Sequence, residues 1–133
     1  GEDIADEIIT LKENFHKYDF FFLHIKKTDS YGEDGNFEAK IKIVEEVDQY
    51  IPDLLNLKPD VLVITGDHST PAVLAAHSWH PNPFLLYSKF IRVDDVQYFS
   101  EREFVKGGLG RFPAKEAMSL MLANALKLQK FGA

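Results

Sequence analysis

Asp60-Val61-Leu62-Val63-Ile64-Thr65-Gly66-Asp67-His68-Ser69-Thr70-Pro71 is the stretch whose reading decides the fold. Leucine and β-branched residues run from Val61 to Ile64 between Pro59 and Gly66, the pattern of a strand buried on both faces. Such strands are usually parallel, and ligands of open α/β sheets bind just beyond their carboxyl ends. Asp67 and His68 stand at that place and offer a cation one hard oxygen and one borderline nitrogen. Thr70 and Pro71 read as the cap and first position of a short helix over 71–76.

Outward from this junction, Ile4, Ile8, Leu11 and Phe15 recur at helical spacing, so the chain is expected to open on an amphipathic helix between Asp3 and Lys17. Tyr18 to Ile25 is continuous and aromatic, which predicts a strand in the middle of a sheet. A polar loop is expected from Lys26 to about Asn36. Phe37, Ile41, Val44, Val47, Ile51 and Leu54 mark a second helix that Pro52 should kink or end. Phe84 to Tyr87 reads as a third strand. Ser100-Glu101-Arg102-Glu103 has the form of a capping box, and Gly107 to Gly110 should break the helix it opens. Pro113 starts a last helix with Ala117, Met118, Met121, Leu122, Ala125 and Leu128 on one face. The order αβαβαβ followed by helices argues for a layered α/β fold with a mostly parallel sheet and flanking helices.

Composition narrows the function. The 133 residues are 45% hydrophobic and 13% aromatic, enough for one moderate core. Fifteen basic and 21 acidic residues give a net charge of −6. No basic stripe gathers, which argues against nucleic acid as a partner. Cysteine is absent, so His, Asp and Glu are the strong metal ligands available. The longest apolar runs fall far short of a membrane span, and the acidic amino-terminus is unlike a signal peptide. A soluble, cytoplasmic chain is the expectation.

Two further clusters carry candidate chemistry. Between Lys26 and Glu38 four acids, Asp29, Glu33, Asp34 and Glu38, crowd a glycine-containing segment, and carboxylates this close repel unless a positive charge joins them. The bland alternative is a solvated acidic loop. An EF-hand register fails, since starting at Asp29 puts Tyr31 third and Asp34 sixth, while starting at Ser30 puts Ile41 where the bidentate Glu belongs. Downstream, His77 and His80 lie among prolines in His77-Ser78-Trp79-His80-Pro81-Asn82-Pro83. If neighbouring strands bring these loops together, Asp29, Asp67, His68 and His77 meet. Carboxylate and imidazole without thiolate suit Mn²⁺ or Zn²⁺, and two such ions about 3.5–4 Å apart can clamp a phosphoryl transfer.

Asp29-Ser30-Tyr31-Gly32, the segment Thr65 to Pro71, and His77 followed by Pro81-Asn82-Pro83 resemble the carboxyl-terminal part of archaeal-type cofactor-independent phosphoglycerate mutases, members of the alkaline phosphatase superfamily. The resemblance runs from about Asp19 to the end and includes His24-Ile25-Lys26 and the glycine-rich segment before Arg111. It implies an alkaline-phosphatase-like partial domain, residues 1–133 being the carboxyl-terminal portion. It also implies two divalent ions, Mn²⁺ first, with Zn²⁺, Mg²⁺ and Co²⁺ as other candidates. Asp67 and His68 would hold one ion, and Asp29 and His77 the other. Glu33 stands where family members carry a histidine, and Asn36 where they often carry aspartate.

The implied activity is interconversion of 3-phosphoglycerate and 2-phosphoglycerate through a phosphoserine. The family's nucleophilic serine, another metal-binding aspartate and most substrate-binding basic residues come from sequence upstream of this stretch, so an amino-terminal portion of the same protein is an expected partner and this chain alone is expected to be inactive. Ser30, Ser69 and Thr70 read as capping or turn residues rather than nucleophiles. Lys26, Lys27 and Arg111 are candidates for substrate phosphate, with solvated side chains the plainer reading. A related phosphatase or phosphonate-processing enzyme and a non-catalytic metal-binding or interaction domain are the rival functions. Self-association to a homo-oligomer through an exposed sheet edge is a further expectation.

Overall fold

A computed structural model describes residues 3–129. The expected domain span also includes residues 1–2 and 130–133, which lie outside the described residues. The backbone divides into two compact units, Gly1–Lys58 with His68–Pro81, and Pro59–Asp67 with Asn82–Ala133. The boundary passes between Asp67 and His68.

The first unit is built on three helices, α1 (Ile4–Asn14), α2 (Lys27–Glu33) and α3 (Phe37–Asn56). Asp3 caps α1 by accepting from the Asp6 N–H at 2.8 Å. Asp6 and Glu7 in its first turn and Lys12 in its last complement the helix dipole. Ile4 and Ile8 are buried against Ile43 of α3, and Leu23, Ile25, Tyr31, Val47, Tyr50 and Leu54 pack around them. Lys12 reaches Asp53 at 2.8 Å with both side chains well exposed, a geometry worth at most about 1 kcal/mol. Asn36 caps α3 through Ala39 N–H at 3.1 Å. The helix runs past Pro52 to Asn56, so the proline sits within its closing turns rather than ending it.

Three local expectations are corrected here. Lys26 to Asn36 is not a loop, because α2 occupies most of it, with Tyr31 packed on the core. Gly35 at φ 66° closes that helix, letting Asn36 N–H reach the Tyr31 carbonyl at 2.9 Å. Pro71 to Ala76 is not a helix. Its chain makes turns in which the N–H groups of Leu74 and Ala75 reach the Pro71 carbonyl at 3.0 and 3.1 Å, and Ala75 at φ 47° leaves the helical region. Tyr18 to Ile25 is not a central strand. From Phe20 to Ile25 it has no regular secondary structure, and among the described residues Phe20 to His24 enter no backbone ladder. Side-chain β-propensity reports a surface that fits a sheet and does not itself supply a neighbouring strand. Leu23 and Ile25 turn to the core, whereas Phe22 is 78% exposed.

The second unit contains β1 (Val61–Thr65), β2 (Phe84–Ser88), α4 (Glu101–Phe104), a 3₁₀ turn at Ala114–Glu116 and α5 (Ala117–Asn124). β1 and β2 pair antiparallel, from Val61 with Ser88 to Thr65 with Phe84. The α/β class stands, but the mostly parallel sheet is corrected to a two-stranded antiparallel one among the described residues. Val61 to Ile64 are half-buried rather than enclosed on both faces. An apolar run specifies burial, and direction was inferred from burial alone. In β2, Leu86 and Ser88 are buried while Tyr87 between them is exposed. The Ser88 hydroxyl donates to Asn124 Oδ1 at 2.9 Å and accepts from Phe90 and Ile91 N–H at 3.2 and 3.0 Å, tying the strand to α5. Ser100 caps α4 by accepting from Glu103 N–H at 3.3 Å, while the Glu103 carboxylate meets Lys106 at 2.6 Å instead of closing the box. The last helix ends at Asn124, short of the expected Leu128, with Leu126 at φ 56°. No helix among the described residues is long and apolar enough to cross a membrane.

Candidate metal centre

Because α2 is a helix, Asp29 and Glu33 lie one turn apart on the same face. The segment from His68 to Pro81 is folded back on itself by a bridge between Ser69 and Ser78, whose N–H donates to the Ser69 carbonyl at 2.8 Å. That closure lays the His68 and His77 rings together, centroids 4.0 Å apart and tilted by 35°.

These two segments meet at Asp29. His77 Nε2 is 3.5 Å from Asp29 Oδ1 and 3.4 Å from Glu33 Oε1, and His68 Nδ1 is 3.8 Å from Asp29 Oδ1. Those separations exceed the range of about 2.7–3.2 Å for N–H···O hydrogen bonds. The two His77 separations approach the edge of a tetrahedron, about 3.4 Å, that ligands make around an ion at about 2.1 Å. One ligand atom from each of Asp29, His68 and His77 falls within 4.8 Å of the others. Two imidazoles and one or two carboxylates without thiolate match Mn²⁺ or Zn²⁺ chemistry, so the residues present fit a divalent ion.

Asp29 is held ready in its charged form. Its carboxylate pairs with the Lys26 ammonium and accepts from the Thr70 hydroxyl at 2.6 Å. With 12% of the side chain exposed, the Lys26 hydrogen bond, then that from Thr70, lower its pKa from 3.8 to about 2, against the opposing cost of burial. Lys26 thus pairs with Asp29 while its side chain stays 62% exposed. Lys27 and Arg111 are exposed.

Of the five residues expected as ligands, Asp29, Glu33, His68 and His77 come together. Asp67 follows β1 in the second unit. His68, which the resemblance pairs with Asp67 around a separate ion, lies in the group with Asp29 and His77. His80 is turned to other partners: its Nδ1 is 2.8 Å from Ser78 Oγ and its ring stacks on Trp79 at 4.9 Å. Two residues beside the site escaped the sequence reading. Thr70, read as a helix cap, touches both Asp29 and His68, the latter at 3.1 Å. Lys40 of α3 donates to the Thr70 carbonyl at 2.5 Å. The signal for Thr70 was a hydroxyl two positions after a candidate imidazole ligand; for Lys40, 30 residues distant from Thr70, the sequence carried none.

Comparison with known proteins identifies the family. A model of the Metalloenzyme superfamily matches residues 2–124. Proteins named probable 2,3-bisphosphoglycerate-independent phosphoglycerate mutase are similar along the whole chain: 59% identical in Thermotoga maritima, 56% in Aquifex aeolicus and 53% in Thermus thermophilus. In each case the match covers 100% of this chain and 33% of the relative, so the chain spans about a third of the length of the curated relatives it matches. The solved structure of the PH0037 protein from Pyrococcus horikoshii superposes with a TM-score of 0.90 at 38% identity, over 96% of this chain and 39% of that one. The chain belongs to the metalloenzyme superfamily and is similar, over its full length, to the carboxyl-terminal part of those mutases.

Proposed function

We propose that this chain is the carboxyl-terminal, metal-holding portion of a cofactor-independent phosphoglycerate mutase that interconverts 3-phosphoglycerate and 2-phosphoglycerate in the cytoplasm, within glycolysis and gluconeogenesis. The observation that carries the reading is the convergence of Asp29, His68 and His77 in a chain 59% identical to a protein named for that activity. Asp29, His68 and His77, with Glu33 beside His77, would hold one divalent ion, and Asp67 would contribute to a second. Mn²⁺ is the favoured ion, because an all-oxygen-and-imidazole set is harder than a thiolate site. When bound, such ions favour the ionised form of a hydroxyl nucleophile and neutralise charge on the transferred phosphoryl group. The chain's own part is to keep Asp29 ionised through Lys26 and Thr70 and to hold two imidazoles at fixed separation.

The serine that carries the phosphoryl group would come from the preceding part of the polypeptide, so this chain by itself would bind metal and not turn over substrate. Titration of Mn²⁺ by calorimetry, on the chain and on Asp29→Ala and Asp67→Ala, tests the ligands; mutase assays of the full-length protein and of the chain alone test the division of labour. Metal binding that survives Asp29→Ala unchanged, or a normal mutase rate from the chain alone, would overturn the corresponding half of the proposal. A full-length protein that hydrolyses phosphate esters without isomerising phosphoglycerate would place it among the phosphatases instead.

A further inference from the structure

Thr70 is 4% exposed, yet its side chain and its backbone are both engaged with the candidate centre. The hydroxyl donates to Asp29 Oδ1 at 2.6 Å and lies 3.1 Å from His68 Nδ1. A hydroxyl has one proton to give. An ionised carboxylate can only accept, so that proton goes to Asp29, and the contact with His68 is then made by Nδ1–H donating to the Thr70 oxygen. This places the lone pair of the neutral imidazole on Nε2.

The backbone of Thr70 is fixed independently. Lys40 donates to its carbonyl at 2.5 Å, and a Cβ on Gly32 would overlap that same carbonyl oxygen. Thr70 is therefore clamped between α2 and α3 before any ligand is considered.

We infer that Thr70 is a positioning residue of the metal centre, its hydroxyl orienting the Asp29 carboxylate and selecting the His68 tautomer that presents Nε2 to a cation. The inference rests on the reading of Asp29 and His68 as ligands, but its first observable does not require metal. Outer partners of this kind set ligand orientation and basicity, and losing one typically weakens metal binding about 10–100-fold. A merely structural threonine would act through packing, which valine reproduces in shape.

The test is nitrogen NMR of the His68 ring in the metal-free chain, at a pH where the imidazole is neutral, followed by calorimetric Mn²⁺ titration of wild type, Thr70→Val and Thr70→Ser. The expected result is an Nδ1-protonated ring in wild type and in Thr70→Ser, a mixed or Nε2-protonated ring in Thr70→Val, and Mn²⁺ binding about 10–100-fold weaker in the valine variant alone. An Nε2-protonated ring in wild type would overturn the inference, even if Thr70→Val failed to fold. So would equal losses in the serine and valine variants, which would assign the effect to packing at this position rather than to the hydroxyl. If wild type showed the expected tautomer but bound no Mn²⁺, the metal reading would fall and the Thr70–His68 hydrogen bond would stand.

Discussion

His68 and His77 are nine positions apart in the chain, yet their rings lie 4.0 Å apart because the Ser69–Ser78 bridge closes the segment between them. As the proposed ligands of one ion, preassembled in this way, they would make a cooperative pair. His68→Ala and His77→Ala are each expected to lower Mn²⁺ affinity by about 100-fold or more, beyond the usual loss for an outer partner. The double variant should lose less than the product of the two, since the second residue has little left to hold once the first is gone. His80→Ala, whose ring faces Ser78 and Trp79, should bind as wild type. Calorimetric titration of the four variants decides this, and strict additivity would argue against a shared ion.

Gly32 separates two opposed effects. In an ordinary helix, glycine to alanine stabilises by about 1 kcal/mol. Here the new Cβ would run into the Thr70 carbonyl oxygen, and overpacking of that kind costs about 1–3 kcal/mol. Gly32→Ala is therefore expected to lower the urea midpoint of unfolding and to weaken Mn²⁺ binding as well, through Thr70. Gly35→Ala should also destabilise, by about 1 kcal/mol, because its φ of 66° is strained for any residue with a Cβ. It should leave the Thr70 contacts alone.

Protonation of Asp29 has a definite sign. Its folded-state pKa lies near 2 and its ordinary value is 3.8, so the unfolded chain binds the proton more readily. Stability from this group is fully present above about pH 4 and is lost as the pH falls from there through about 2. Lys26→Met removes the larger of the two causes and should move the Asp29 carboxyl titration, followed by carbon NMR, up toward 3.8. A titration unmoved by that substitution would show that Lys26 does not hold the carboxylate.

How much of this was legible beforehand depended on whether the deciding contact was local. α1 and α3 declared themselves through apolar spacing and caps, and β1 through its bounded aliphatic run. α2 did not, because Asp29, Ser30, Gly32 and Asp34 are weak helix formers and the helix is held by Tyr31 against the core. The turns after Pro71 did not either. Thr70-Pro71 is a sound helix start by composition, but the hydroxyl oxygen that would cap it faces His68 Nδ1 and its proton goes to Asp29, 41 residues away. At the candidate site, residue type and position pointed to Asp29, Asp67, His68 and His77, of which Asp29, His68 and His77 converge. The closeness of Glu33 to His77 needed α2 to be known, and the roles of Thr70 and Lys40 needed tertiary contacts that no spacing encodes.

The irregular segment from Phe20 to Ile25 offers the sharpest stability contrast between adjacent residues. Leu23 packs on the Ile4–Ile8–Ile43 cluster, while Phe22 is 78% exposed. Truncating a buried aliphatic costs about 2–5 kcal/mol; Leu23→Ala, at a half-buried position, should fall at or below the low end, and Ile8→Ala, at 2% exposure, well within the range. Phe22→Ser should stay within about 0.5 kcal/mol despite removing a larger apolar side chain. Urea unfolding of the three variants measures this directly. Since Phe20 to His24 enter no backbone ladder among the described residues, their amides should also exchange with solvent far faster than those of α3. A Phe22→Ser loss of 2 kcal/mol or more, together with slow exchange at these amides, would mean that the segment is covered in solution by a partner strand, the arrangement its aromatic sequence first suggested.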